Sequence, residues 1–459
     1  MATAPWFVIS PNVLLSTIGL LRGPDKTVPT PREDWHTAVV DVVIPAYQEE
    51  DNIIHCLASL ARQTLRPRRI ILVDDGGKDR TVSRAREYAG SVGLDLTVIE
   101  REHSIGKTPT IKRQAREFDG DVEFILDSDT FLESPQYIER CVQELYQGAG
   151  IASACGTILP MRPKDRHRLA QTREFRAWHG APAYDDPHAR RSLFNSLWWW
   201  CTNIYRESLY LFLQRFVYRG QMVFFGGITN PVGCAVAYRR KYIKDLFDHY
   251  EPILGDDLTN SEDIFIGFAL NREGYRNIQL QDVIARSEEP EVQRLPRQIY
   301  MWSSSFLQSC YYFDSLLRTP FRMLRRMRQR RRERKEGVRE LRKVSEQYRQ
   351  PFGGAHTDRY GRPIGWAMFM SAFEKISFPT ALIIMLIMRW WEALVITVVA
   401  EAVVALIVLV AVAREARIAA FFKGILILPI RYGLILADTL TIGRFATDLW
   451  ITKNRRWRK

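Results

Sequence analysis

The chain has 459 residues, with 65 Lys and Arg against 52 Asp and Glu, and a net charge of +13 at pH 7. That length accommodates two or three domains, and the basic excess suits an anionic partner: a nucleotide, a lipid surface or a nucleic acid. The six cysteines stand far apart with no C-x-x-C pair, which excludes a zinc ribbon and a disulfide framework and leaves reduced, cytosol-facing thiols as the expectation.

In chain order, Trp6 to Leu21 is apolar but broken by Pro11-Asn12. It falls short of the ~20 apolar residues of a full span, so residues 1–36 are expected to form an interfacial or re-entrant segment. From Ala38 to Ile125 strand and helix patterns alternate. Strands are expected at Val39–Ile44, Arg69–Val73, Leu96–Ile99 and Glu123–Leu126, and helices at Asn52–Arg62, Arg80–Ala89 and Thr108–Phe118. This alternation predicts an α/β fold, a mostly parallel sheet with helices on both faces. Ligands in such sheets bind beyond the carboxyl ends of the strands, where Pro45, Asp74-Asp75 and Asp127-Ser128-Asp129 all fall.

Residues 150–290 are mixed and include Trp198-Trp199-Trp200 and a helical stretch from Asn203 to Phe216. Arg322 to Lys335 carries nine Lys or Arg in fourteen residues, too much charge for a core helix. Three apolar stretches of near-spanning length follow: Trp366–Met388, Ala393–Ala413 and Gly424–Thr441. Each holds charge: Glu374-Lys375, Glu401, and Arg431 with Asp438. Such residues face a bundle interior or a water-filled path; amphipathic interfacial helices are the other reading. Positive-inside reasoning places the polybasic run, Arg414/Arg417/Lys423 and the tail Arg455–Lys459 together on the cytoplasmic side. Three full spans would separate them, so the first or the third stretch is expected to be interfacial or re-entrant.

The chemistry sits at the strand ends. Asp127 and Asp129 flank one residue after a buried strand and face the same way. Paired carboxylates there are costly unless a cation joins them to an anionic ligand, so the site suits a divalent metal carrying a diphosphate. Val43-Ile44-Pro45-Ala46-Tyr47-Gln48-Glu49 closes the first strand, and Asp74-Asp75-Gly76-Gly77 closes the second. Gly106-Lys107 and Ser261-Glu262-Asp263 follow, the latter opening a helix that ends at Gly274. Asp74 or Asp79 serves equally as a helix cap, Glu262 as a first-turn acid, and Lys107 as a loop lysine.

Taken in this order, the pieces resemble the family 2 glycosyltransferases, which have a GT-A fold, over roughly residues 38–305. The resemblance implies that 37–150 form the nucleotide-sugar half and 151–292 the acceptor half. Residues 293–350 would be interfacial helices with the polybasic segment, and 351–459 membrane-embedded helices. It implies donor contacts at Pro45, Glu49, Asp75, Lys107 and Asp127, Mg²⁺ or Mn²⁺ on Asp129, and Asp263 as the general base. Glu262 would lie on the acceptor side. Gln298-Ile299-Tyr300-Met301-Trp302 is similar to the Q-x-x-R-W motif of the membrane-embedded polysaccharide synthases, with Met301 in place of arginine. Gln298 and Trp302 would meet the acceptor, with Arg294 or Arg297 replacing the missing cation or the diphosphate held more weakly.

The implied function is inverting transfer, in the cell membrane with the catalytic domain facing the cytoplasm. A sugar would pass from a UDP-linked donor to a growing polysaccharide, with coupled export of that polymer as the extension of this reading. A polyprenyl-phosphate or glycolipid acceptor is the alternative, and a silent sugar-nucleotide-binding subunit the alternative of another class. The polybasic run is assigned to anionic lipid headgroups and not to nucleic acid, because no aromatic interleaving or recognition module accompanies it.

Overall fold

The computed structural model describes residues 10–22, 33–117, 119–147, 150–186, 192–254, 261–337, 353–413 and 416–453. Residues 6–9, Asp256-Asp257, Arg414 and Arg455–Lys459 fall outside them.

Eight strands form one sheet: β1 (Val40–Ala46), β2 (Arg69–Asp74), β3 (Leu96–Glu100), β4 (Val122–Leu126), β5 (Thr130–Leu132), β6 (Ile151–Pro160), β7 (Ala235–Arg239) and β8 (Arg276–Ser287). Their order is β3-β2-β1-β4-β7-β6-β8-β5. The four expected strands are the parallel half, with Val43 opposite both Ile71 and Ile125. β7 enters antiparallel to β4 and β6, and β5 antiparallel to β8, while β6 and β8 are parallel. The sheet is therefore mixed. Pro45 lies past the last β1–β4 pair, at Val43 and Ile125, so its missing N–H breaks no bond on that side.

Alternation along β1 sorts the core. Val42 and Ile44 join Ile53, Leu57, Tyr88 and Ile138 on one face, under the Ile53–Ala61, Thr81–Val92 and Tyr137–Leu145 helices. On the other, Ile125 and Val236 pack with Ile111, Phe265 and Phe268 from the Lys107–Glu117 and Glu262–Glu273 helices. Each fully buried side chain of this size stabilises by ~1.5–3 kcal/mol. That second core also takes in Cys310, Phe313, Leu316, Ala367 and Met368, so the sheet and the C-terminal helices share one interior.

The tryptophan run opens a helix, Leu193–Phe212, longer than the stretch expected from Asn203, and a π-helical segment Leu213–Tyr218 continues it. Two helices are long and apolar enough to cross a membrane, Gly365–Ile387 and Trp391–Val412. The third apolar stretch is a pair, Arg417–Leu426 and Leu428–Trp450, bent by 52°. The charge pattern leads to the expectation that the first or the third stretch is interfacial or re-entrant; the first is a single long helix, and the bend makes the third a broken span or a re-entrant loop. Their charges are paired: Lys375 Nζ with Asp438 at 2.5 Å, and Arg431 with Glu401. The N-terminal helix Pro11–Arg22 has 12 residues, short of the ~20 of a span. It crosses the Arg219–Phe225 helix at Gly19 and Gly220, and Asn12 donates to Glu374 at 2.7 Å.

Candidate active site

Four loops at the carboxyl edge of the parallel half build the site. The turn after β1 brings Glu49, whose Oε2 accepts from Asn52 at 2.7 Å. The turn after β2 brings Asp75, and Gly76 (φ +81°) lets that chain reverse, since an added Cβ would lie 3.0 Å from the His103 backbone. The β4–β5 turn carries Asp127 and Asp129, tied to the second half by Asp127 N–H donating to Cys234 O at 2.8 Å. The Glu262–Glu273 helix supplies Glu262 and Asp263 from its first turn, where the helix dipole favours acids, and stops at left-handed Gly274.

Lys107 joins these pieces. Its Nζ lies 2.6 Å from Asp127 and 2.8 Å from Glu262, and donates to Gly233 O at 3.3 Å. Burial works against its charge, but the two carboxylates outweigh burial and hold the ammonium protonated. Glu262, expected on the acceptor side, is buried and committed to this ion pair.

Asp263 is half-buried beside it. Its Oδ2 accepts from Gly233 N–H at 3.1 Å, and its Oδ1 from Ile264 N–H at 2.8 Å and from the Ser261 hydroxyl. An added Cβ on Gly233 would come within 2.8 Å of that carboxylate, so only glycine permits the approach. Burial first, then Glu262, pushes the Asp263 carboxyl up to about 6.

Asp129 stands among like charges. Thr130 Oγ1 donates to it at 3.0 Å, while burial, Glu49 and Asp127, with a further push from Glu288, drive its carboxyl well above the usual range. Burial with Glu288 and Asp127 likewise raises Glu49 to about 7. Among the described residues, no three His, Cys, Asp or Glu side chains enclose a metal by themselves. One recessed carboxylate amid an acidic excess still fits a hard divalent ion, whose remaining ligands are phosphate oxygens and water.

Asp75 is differently placed from a plain base or ribose acceptor. It accepts from Arg101 at 2.8 Å, Ser104 at 2.6 Å, and the N–H groups of Ile105 and Gly106 at 3.1 and 2.8 Å. Burial opposes its ionisation, but these bonds outweigh burial and hold it below the usual carboxylate range. It thereby shapes the loop that delivers Lys107. Asp79 stands just before the Thr81–Val92 helix and accepts from Thr81 N–H at 3.1 Å, while Arg80 holds the N-cap position.

On the membrane side, Gln298 and Trp302 lie on the Leu295–Tyr312 helix. The cation at Trp302 comes from Arg206, whose guanidinium carbon sits 4.3 Å from the ring centroid. Arg206 is fully buried, bonds Gln298 Oε1, and pairs with Glu289 at 3.3 Å. Arg294 and Arg297 are exposed. Sequence reasoning missed Arg206, Glu288 and Glu289. A lone arginine in an aromatic helix, and two acids at a strand end before Pro290, were the available signals.

A family model described as Glycosyl transferase family 2 matches residues 41–247. An N-acetylglucosaminyltransferase of Azorhizobium caulinodans is 24% identical over 276 residues, 59% of this chain and 60% of its own length. An undecaprenyl-phosphate 4-deoxy-4-formamido-L-arabinose transferase of Pectobacterium carotovorum is 33% identical over 112 residues, 24% of this chain and 34% of its own. The chain thus spans 60% and 34% of these two relatives. Among solved structures, a mannosyltransferase from Pyrobaculum calidifontis in complex with GDP-Man and Mn²⁺ aligns over 96% of this chain and 94% of its own. Its sequence identity is 16% and the TM-score 0.49.

Proposed function

Because the chain carries a glycosyl transferase family 2 domain over residues 41–247, we propose that it transfers a sugar, with inversion, from a UDP-linked donor to an acceptor delivered from the membrane side. The carrying observation is that Lys107 ties Asp127 to Glu262, which sets Asp263 in the same cleft as the strand-end carboxylates. Asp129 would hold Mg²⁺ or Mn²⁺, which supplies positive charge against the departing diphosphate. Asp263 takes the proton of the acceptor hydroxyl as its oxygen attacks the anomeric carbon. Bonds from Gly233 and Ile264 fix that carboxylate, and its raised pKa keeps it a competent base near neutrality. The Glu49 and Asp127 carboxylates border the donor space, and Trp302, more than a third exposed, offers a ring face on the acceptor side.

In this reading the domain sits at the cell membrane facing the cytoplasm; the length of the two candidate spans supports the first part, and the charge of the basic Met323–Lys335 helix, suited to anionic headgroups, supports the second. Export of a growing polysaccharide is a second reading. A cavity of about 490 Å³ supports it, running from Thr229 and Asn230, near Gly233, to Glu374, Lys375 and Glu401 between the membrane helices. The deciding test is Asp263→Asn with donor binding and nucleoside diphosphate release measured side by side. Transfer should fall by ~10²-fold or more while donor affinity holds. Equal loss of both assigns Asp263 to the donor site and defeats the reading.

A further inference from the structure

Beneath the acceptor-side cluster lies a second cavity of about 400 Å³, adjoining the first at Phe212, Lys375, Arg431 and Asp438 and within the ~300–1,000 Å³ typical of small-molecule sites. Its walls are mostly apolar: Leu209 and Phe212 from the tryptophan-rich helix, Ile299, Leu406 and Leu409 from the second span, and Leu434 beyond the bend. Lys375, Arg431 and Asp438 also line it. All three are held in ion pairs, Arg431 with Glu401 and Lys375 with Asp438.

Two of the bordering helices lead directly to the acceptor-side cluster. Tyr205 lines the cavity, and its neighbour Arg206 stacks on Trp302 and bonds Gln298. Ile299 lines it one position after Gln298 and one turn before Trp302. Arg206 is fully buried, and its Nη1 has no hydrogen-bond partner. An amphipathic molecule with its chain between the spans would therefore present its polar end at a buried cation and an aromatic ring. Glu289 already balances the Arg206 charge, so what a headgroup oxygen would relieve is the unmatched Nη1 donor, a cost of ~1–3 kcal/mol.

We propose that this cavity holds the hydrocarbon chain of a lipid-linked acceptor, its phosphate-bearing end directed at Arg206 and Trp302. This rests on the transferase reading above and selects the lipid-linked acceptor class within it. In the step served, the acceptor's sugar hydroxyl oxygen bonds the anomeric carbon of the donor sugar. The bond from that carbon to the diphosphate oxygen breaks, its electron pair leaves with the nucleoside diphosphate, and Asp263 takes the proton.

The test uses the full chain in lipid nanodiscs. The probe is a polyprenyl-diphosphate-linked monosaccharide with a photoreactive diazirine in its chain, and the comparator is a phosphatidylglycerol carrying the same group. The acceptor probe should label the peptides around 402–409 and 427–435 several-fold more strongly than the comparator. Ala405→Phe, which fills the cavity from the second span, should lower kcat/KM for the lipid acceptor by tenfold or more. Acceptor-independent donor hydrolysis and donor KM should stay unchanged, and the smaller Ala402→Leu should act in the same direction. Equal labelling by both probes means that bilayer lipid fills the space, and the proposal fails. It fails too if donor hydrolysis and transfer fall together in both variants, or if neither changes. Selective labelling by a wild-type chain that cleaves no nucleotide sugar would defeat the transferase reading but uphold lipid binding here.

Discussion

At the residue scale, Lys107 governs the electrostatics of the cleft. It lowers the Asp263 carboxyl, against the push from burial and Glu262. Activity should therefore rise with pH through about 6, as Asp263 loses its proton, and level off above. Lys107→Met should move that acid limb to higher pH and leave Glu262 buried without its partner. Removing one partner of such a pair should lower stability by roughly 2 kcal/mol. A pH–kcat/KM profile and a melting curve check both. Asp129 makes the opposite case. Its carboxyl is raised in the folded chain, so it favours folding when protonated and opposes it as pH rises through its folded value. Asp129→Asn should raise the metal-free Tm near neutral pH and abolish the Tm increase on adding Mn²⁺, both readable by differential scanning. The strand-end acids stand out in the sequence by residue type and spacing, and Asp263 through the family resemblance. The bridge that Lys107 makes between Asp127 and Glu262 was not legible, because Glu262 reaches it from a distant segment of the chain.

At the element scale, the βα alternation was legible because a buried strand and an amphipathic helix each print a local period, two or 3.6 residues. The predicted boundaries of β1 to β4 agree with those observed to within two residues. The antiparallel insertion of β7 was not legible, since pairing partners carry no local mark. Nor was the crossing of the N-terminal helix, which depends on two glycines from distant segments. A Cβ on Gly220 would meet Ser16 Cα at 2.4 Å. Gly220→Leu should therefore cost about 1–3 kcal/mol and release the Pro11–Arg22 helix to limited proteolysis.

At the scale of the whole molecule, the fold is an eight-stranded sheet whose second core continues into the C-terminal helices. We propose that the two candidate spans, joined by a short turn at Met388–Trp390, return the chain to its starting side and that the bent pair stays on that side. Single cysteines at Arg389 and Lys453 should react with a membrane-impermeant maleimide from opposite faces, Lys453 on the face of the Met323–Lys335 helix. Labelling from one face would mean that the bent pair crosses fully.

The sequence by itself determined the α/β alternation, the acids at strand and helix ends, the apolar lengths and the basic run. Each is set by periodicity, propensity or composition within about twenty residues. Tertiary structure alone decided that Lys107 bridges Asp127 and Glu262, that Arg206 rather than a nearer arginine meets Trp302, and that the last apolar stretch bends. These are encounters between segments far apart in the chain. Arg206 and Gln298 stand 92 residues apart, and only close packing of the intervening elements brings them together.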